Sequence, residues 1–75
     1  MEIKEGMFAE VMNWGEKTTV FIFDIMYFEG RIYHATAESL NKVGYWHRAF
    51  WPDEFLRTWH DTEHAHYKKW KKKNR

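Results

Sequence analysis

The sequence predicts an α+β domain in which an antiparallel β-sheet, or a small β-barrel, is followed by a C-terminal α-helix. Residues 17–28 are rich in β-branched and aromatic side chains, which favour the pleated surface of a strand. Shorter segments of similar character lie on either side and are separated from it by glycine-containing turns. Near the C-terminus, Pro52-Asp53-Glu54 and the lysines of residues 68–73 are typical of a helix start and a helix end.

The first half of the chain predicts three strands joined by tight turns. Residues 7–14 form the first strand, and Gly15-Glu16 follows it as a turn. Residues 17–28 form a long second strand. Glu29-Gly30 is a two-residue hairpin loop in which glycine supplies the positive φ that such turns require. Residues 31–36 form the returning strand.

This two-residue loop fixes which side chains share a face of the second hairpin. It pairs Phe28 with Arg31 and Tyr27 with Ile32, and alternation then assigns the other positions. The face predicted to form the core carries Phe21, Phe23, Ile25, Tyr27, Ile32 and His34. The opposite face mixes charged and apolar residues: Asp24, Met26, Phe28, Arg31, Tyr33 and Ala35. We expect the second face to meet water or a partner.

The second half of the chain predicts a loop, a strand and a helix. Residues 37–43 form a loop or a short helix that ends at Gly44, and residues 45–51 form a further strand. The helix is predicted over residues 52–72 and carries a basic tail to the end of the chain. The chain of 75 residues is therefore one domain, with an antiparallel β body over residues 1–51.

The predicted helix is apolar on one side only in its first turns. Phe55, Leu56 and Trp59 share a stripe at helical spacing, but Glu63 then lies at the centre of that stripe. We expect the helix to dock on the sheet through residues 55–59. Its second half is expected to leave the body.

Two stretches, EGMFAEV and GYWHRAFWPDEFLR, resemble the opening and closing strands of SH3-like small β-barrel domains. Barrels of this type often close with a strand that leads into a short 3₁₀ turn. The resemblance covers residues 5–57 and identifies no specific family. It implies a small barrel, whereas the long strand 17–28 and the C-terminal helix lie outside the simple pattern. A sheet of three or four strands with one helix packed across it stays open as the alternative.

Aromatic residues make up 20% of the chain, including five tryptophans. Each buries about 150–250 Å² when packed, so a domain of this size cannot bury all of them. Exposed rings beside arginine are typical of protein interfaces. The predicted partner-binding residues are Met26, Phe28, Arg31, Tyr33, Trp46 and Arg48. We therefore expect a small non-enzymatic module that binds a protein partner or a second copy of itself, as a regulator or inhibitor. The size also suits a phage-encoded accessory protein.

Charge is divided unevenly along the chain, which suggests nucleic-acid binding as the alternative function. Residues 1–66 carry a net charge of −5, and residues 67–75 carry +6. The tail interleaves cations, which attract phosphate, with rings that stack on bases. The predicted RNA- or DNA-binding residues are Lys68, Lys69, Trp70, Lys71, Lys72 and Lys73. The acidic body opposes this reading.

The segment His60-Asp61-Thr62-Glu63-His64 fits the H-x-x-E-H pattern of inverted zinc proteases. On a helix, His60 and His64 would lie on one side and could both reach a zinc or nickel ion. A protease would need a distant third ligand and a large catalytic domain. We expect no resident metal or cofactor and interpret these residues as a polar helix face, with pH sensing by the five histidines as a further alternative.

The sequence carries no pattern typical of catalysis. It has no cysteine, and Ser39, the lone serine, has no glycine elbow around it. The four glycines are scattered and form no phosphate-binding loop. No apolar run approaches the 18–20 residues or so that span a bilayer, and the N-terminus lacks the features of a signal peptide. We expect a cytoplasmic protein that is not an enzyme and does not contact membranes.

Overall fold

A computed structural model describes residues 1–41 and 43–74, so Lys42 in the predicted loop and Arg75 in the predicted tail lie outside the described residues. The elements are β1 (Phe8–Asn13), β2 (Glu16–Phe28), β3 (Arg31–Ser39), β4 (His47–Phe50), a 3₁₀ turn (Pro52–Glu54), β5 (Phe55–Trp59) and α1 (Ala65–Lys73). All strand pairs are antiparallel, in the order β4-β3-β2-β1-β5. This confirms the predicted α+β class.

The sheet is open, with β4 and β5 as its two edges. It curls enough to bring those edges close together, since the rings of Phe50 on β4 and Phe55 on β5 lie 6.0 Å apart. The 3₁₀ turn joins the two edge strands directly. Within the described residues, no helix is long and apolar enough to cross a membrane.

Both hairpins turn on two residues with positive φ. Glu29 and Gly30 have φ of 50° and 75°, and they pair Phe28 with Arg31 as predicted. The first turn lies one residue earlier than predicted, at Trp14 and Gly15, with φ of 53° and 80°. Positive φ at both central residues gives a turn whose twist matches that of the flanking strands.

Two β-bulges change the faces of the β2–β3 hairpin. The register shifts between Ile22 and Asp24, which leaves Phe23 as the extra residue on β2, and a second shift leaves Tyr33 extra on β3. An extra residue interrupts the two-residue alternation of side chains. Ile22 and Ile25 therefore pack on one core, against the prediction that grouped Ile25 with Phe21 and Phe23.

The predicted faces were also wrong at the two ends of this hairpin. Ala35 pairs with Ile25 and is fully buried, although it was placed on the outer face. Tyr27 pairs with Ile32 but lies beyond the end of the core, and 62% of its surface is exposed.

The main core fills the concave side of the sheet. Its members are small or β-branched residues of the central strands, two phenylalanines of the edge strands and two residues of the N-terminal segment: Ala9, Val11, Val20, Ile22, Ala35, Ala37, Phe50, Phe55, Ile3 and Met7. The opposite face carries a smaller layer, in which α1 covers Phe8 and Phe21.

The predicted helix over residues 52–72 is wrong in its first half. Pro52–Glu54 forms one 3₁₀ turn only, and Phe55–Trp59 then pairs with the free edge of β1. The backbone hydrogen bonds and the burial of Phe55 that this pairing provides outweigh a weak helical preference. Because β5 belongs to the sheet, the β body extends past residue 51. The part of the predicted helix that forms a helix and docks on the sheet is its second half, not residues 55–59.

The strand limits differ from the prediction around the β3–β4 connection. β3 continues to Ser39 through residues predicted as loop, because Ala37 and Glu38 pair with Arg48 and His47. β4 is correspondingly shorter than the predicted strand over residues 45–51. Ser39 is itself buried and accepts a hydrogen bond from the backbone N–H of Trp46 at 3.2 Å.

Candidate partner-binding surface

A shallow groove lies at the tip of the β2–β3 hairpin, beside the 3₁₀ turn. We call it the tip groove, and its lining residues are Phe28, Glu29, Arg31, Ile32, Tyr33, Trp51, Pro52 and Asp53. Three of its rings are exposed to solvent: Phe28 by 65%, Trp51 by 50% and Tyr33 by 45%. Tyr33 lies at the centre of the group, with its ring centroid 4.9 Å from that of Trp51 and 6.2 Å from that of Phe28. This is a continuous aromatic surface.

Ordered backbone elements hold these rings in place. The Glu29-Gly30 turn ends β2 at Phe28, and the β3 bulge redirects Tyr33. On the other side, Trp51 precedes the 3₁₀ turn, and its backbone N–H donates to Glu54 Oε1 at 3.0 Å. Proline is suited to the start of such a turn, where no N–H donor is needed.

Arg48 fixes the 3₁₀ turn to the rest of the sheet. Its guanidinium donates to Glu54 Oε2 and to Asn13 Oδ1, each at 2.9 Å, and lies 4.5 Å from the ring centroid of Phe50. The Glu54 carboxylate therefore accepts hydrogen bonds from both the Arg48 guanidinium and the Trp51 backbone N–H. The groove is built on strands and a braced turn, which favours a pre-formed binding surface.

The groove carries charged groups that form no ion pair with any other described residue. Glu29 and Asp53 form no ion pair with a Lys, Arg or His within the described part of the chain, and neither does Arg31. Beside the rings lies His34, whose Nδ1 is buried without a hydrogen-bond partner among the described residues.

The structure brings together three of the six predicted partner-binding residues, and a fourth lies on the same hairpin. Phe28, Arg31 and Tyr33 line the tip groove, and Met26 is exposed on the same hairpin, opposite His34 in the register.

The other two predicted residues lie elsewhere. Trp46 packs against the main core, and Arg48 braces the 3₁₀ turn. Sequence reasoning missed Trp51 and Asp53, although a tryptophan directly before the single proline was a usable signal for an aromatic residue fixed by a turn.

The basic helix α1 presents lysines outward and rings inward. All five lysines, Lys68, Lys69, Lys71, Lys72 and Lys73, are exposed. Trp70 is half-buried, with its ring 5.6 Å from that of Phe21. The Trp70 ring also lies over Gly6, where a Cβ would meet it at 2.9 Å. While α1 is docked, Trp70 serves packing. Of the six predicted nucleic-acid-binding residues, the five lysines are exposed, and Lys68 Nζ lies 3.2 Å from Glu63 Oε2.

Glu38 on β3 anchors both α1 and the segment before β4. Its carboxylate accepts a hydrogen bond from the Tyr45 hydroxyl at 2.6 Å and lies 2.7 Å from His66 Nε2 of α1. The hydrogen bond to Glu38, with smaller contributions from desolvation and from the carboxylate charge, raises the pKa of Tyr45 to about 12. The group is therefore a structural junction between the helix and the sheet.

The histidines of the H-x-x-E-H segment do not share a helical face, because residues 60–64 form the connection between β5 and α1. His60 Nε2 lies 3.7 Å from Glu2 Oε1. His64 caps α1, since its Nδ1 accepts from the backbone N–H of His66 at 3.0 Å. Over residues 1–41 and 43–74, no group of three His, Cys, Asp or Glu side chains is placed to hold a metal ion.

Comparisons of the chain with protein-family models, curated proteins and solved structures found no match.

Proposed function

We propose that this chain is a small non-enzymatic module that binds a protein partner through the tip groove and so regulates or inhibits that partner. The observation that carries the proposal is the contiguous exposure of Phe28, Tyr33 and Trp51 on braced elements. Aromatic residues and arginine dominate the binding energy of protein interfaces, and Arg31 lies at the edge of the same surface. A lone exposed ring needs no explanation, whereas a connected group of three suggests an interface.

Site-directed photo-crosslinking tests this proposal. A benzophenone side chain at position 28 is expected to capture a partner in native lysate treated with nuclease, and Tyr33→Ala in the same chain should lower the yield several-fold. The matched control places the same side chain at Leu56, an exposed apolar residue on β5 outside the groove. Equal capture from both positions would contradict the proposal. Sedimentation of the purified chain shows whether the partner is a second copy.

RNA or DNA binding through α1 is the second candidate function. It is favoured by the five exposed lysines on nine helical residues, which form a dense positive surface on an otherwise acidic chain. Because Trp70 is packed inward, binding would proceed through phosphates and be independent of sequence. The absence of cysteine fits the reducing cytoplasm as the location for either function.

Salt dependence separates the two functions. Neutralising phosphates with five lysines predicts that log K for duplex DNA falls against log salt with a slope of up to about −4.5. Replacement of the five lysines by glutamine should remove both the binding and the slope. Replacement of Lys4 and Lys17, which lie on the body, serves as the control. A duplex affinity that is unaffected by the five-residue change would rule out α1 as the nucleic-acid surface.

A further inference from the structure

Three aromatic rings of the tip groove meet at steep angles. The planes of Tyr33 and Trp51 are nearly perpendicular, at 85°, and Phe28 is tilted by 53° to Tyr33. The face of an aromatic ring is the negative end of its quadrupole, so a cation is attracted to within about 6 Å of the ring centroid. Rings that meet at an angle allow one small cation to contact more than one face.

The charged groups of the groove favour a cation as well. Two carboxylates, Glu29 and Asp53, line it, against one cationic residue, Arg31. No ion pair involves either carboxylate in the described ranges 1–41 and 43–74. An excess of negative charge beside ring faces is complementary to a positive group.

Charge distinguishes a cationic ligand from a neutral one. Glu29 and Asp53 are exposed, so a neutral apolar segment gains no attraction from their charges. A cationic ligand compensates those charges and contacts the rings at the same time. The rings alone would accept either ligand, and the carboxylates decide between them.

We propose that the tip groove binds a lysine side chain of the protein partner, with its ammonium group, plain or methylated, against Tyr33 and Trp51 and within the field of Asp53 and Glu29. This inference rests on the proposed partner-binding function and adds the chemistry that the partner must present. The positive charge of Arg31 repels the bound cation and so limits affinity for partners that carry dense positive charge.

The test uses the intact chain and three blocked pentapeptides that differ only at the central residue: lysine, Nε-trimethyl-lysine and norleucine. Tryptophan indole signals in ¹⁵N–¹H spectra report binding, with the Trp51 signal assigned from Trp51→Phe and with sodium chloride matched throughout. Both cationic peptides should shift the Trp51 signal, and norleucine should shift it several-fold less. Equal shifts with norleucine, or no shift at Trp51 with any peptide, would overturn the inference.

Charge variants provide an independent readout. Asp53→Asn should lower the affinity for the lysine peptide about two- to fivefold, as expected for loss of one exposed charge pair. Arg31→Gln should raise that affinity by a similar factor. Asp24→Asn removes an exposed carboxylate of β2 outside the groove lining and should have no effect. Changes of the same sign for Asp53 and Arg31 would contradict the electrostatic argument.

Failure of this inference is distinguishable from failure of the proposed function. If norleucine binds as well as lysine, the groove is an apolar anchor site, and crosslinking from position 28 should still capture a partner. If crosslinking from position 28 matches that from position 56, the proposed function fails whatever the peptides do.

Discussion

Gly6 is a residue on which docking of α1 depends. Its φ of +88° is unfavourable for any L side chain, and a Cβ there would lie 2.9 Å from two carbons of the Trp70 ring. We expect Gly6→Ala to lower the free energy of unfolding by about 2 kcal/mol or more, through backbone strain and displacement of Trp70. Urea unfolding followed by tryptophan fluorescence measures this change.

Gly44 supplies the matched control for Gly6. It has a similar φ of +76°, but among the described residues, its two chain neighbours aside, no atom lies within 4 Å of the position that its Cβ would occupy. Gly44→Ala therefore reports the backbone strain alone, and the difference between the two variants reports the contact with Trp70. If both substitutions cost the same free energy, Trp70 is not held against Gly6 in solution.

The hydrogen bond between Tyr45 and Glu38 makes the stability of the fold decrease at alkaline pH. The pKa of Tyr45 is raised to about 12 in the fold by its hydrogen bond to Glu38, so the folded state holds this proton more tightly than the unfolded chain. The stability from this contact is fully present below about pH 10 and is lost as pH rises from about 10 to about 12. Glu38→Gln should return the Tyr45 pKa towards its ordinary value.

Tyrosinate absorbance during alkaline titration measures this shift. One of the four tyrosines should ionise later than the others in the original chain. That late step should be absent from Tyr45→Phe and should move to lower pH in Glu38→Gln. A titration in which Tyr45→Phe leaves the late step unchanged would assign it to another tyrosine and refute this account.

At the scale of elements, the sequence predicted local structure well where turns and alternation agree. The Glu29-Gly30 loop and the pairing of Phe28 with Arg31 are as predicted, because two turn residues leave one register available. The bulges at Phe23 and Tyr33 were not predictable, since each depends on pairing with a neighbouring strand. They decide the faces of the hairpin and place Tyr33 in the groove.

The C-terminal region shows why a helical pattern alone can mislead. Phe55, Leu56 and Trp59 fit a helical stripe, but three of five residues in this segment favour strands, and β1 offered an unpaired edge. A local signal for the true boundary existed, because the Asp61 side chain accepts from the backbone N–H of Glu63 at 3.1 Å. Such aspartate turns interrupt regular structure.

The candidate site was predictable only in part, because some of its residues are brought together by contacts between elements that are distant in sequence. The hairpin residues of the tip groove followed from the register, whereas Trp51 and Asp53 reach it through the 3₁₀ turn that links the two edge strands. The resemblance to SH3-like barrels stays a prediction.

The hairpin turn at Glu29 yields a prediction at this scale. Glutamate is strained at φ of 50°, whereas asparagine adopts this conformation readily. Glu29→Asn should stabilise the fold by about 0.5–1 kcal/mol, measured by urea unfolding. Glu29→Ala removes the same charge without relieving the strain and is the control. An equal gain from both variants would show that charge, not φ, sets the effect.

At the scale of the whole molecule, the two faces of the sheet differ in how firmly they are covered. The concave side is closed by side chains of all five strands, and Val11, Val20 and Ile22 there are fully buried. The other side is covered by one helix of nine residues. A helix of that length is unstable alone, so α1 persists through a few contacts made by Trp70, His66 and His64.

This asymmetry predicts two levels of hydrogen-exchange protection. Amides of β1 and β2 should exchange only through global unfolding, because both strands are paired on each side, whereas amides of α1 should exchange through a smaller opening of the helix. Gly6→Ala should lower the free energy of that opening further and leave the β1–β2 amides tracking global stability. If α1 amides are protected as strongly as those of Val11 and Ile22, the helix and the sheet unfold as one unit. The basic surface would then be a fixed part of the molecule rather than a segment that can detach.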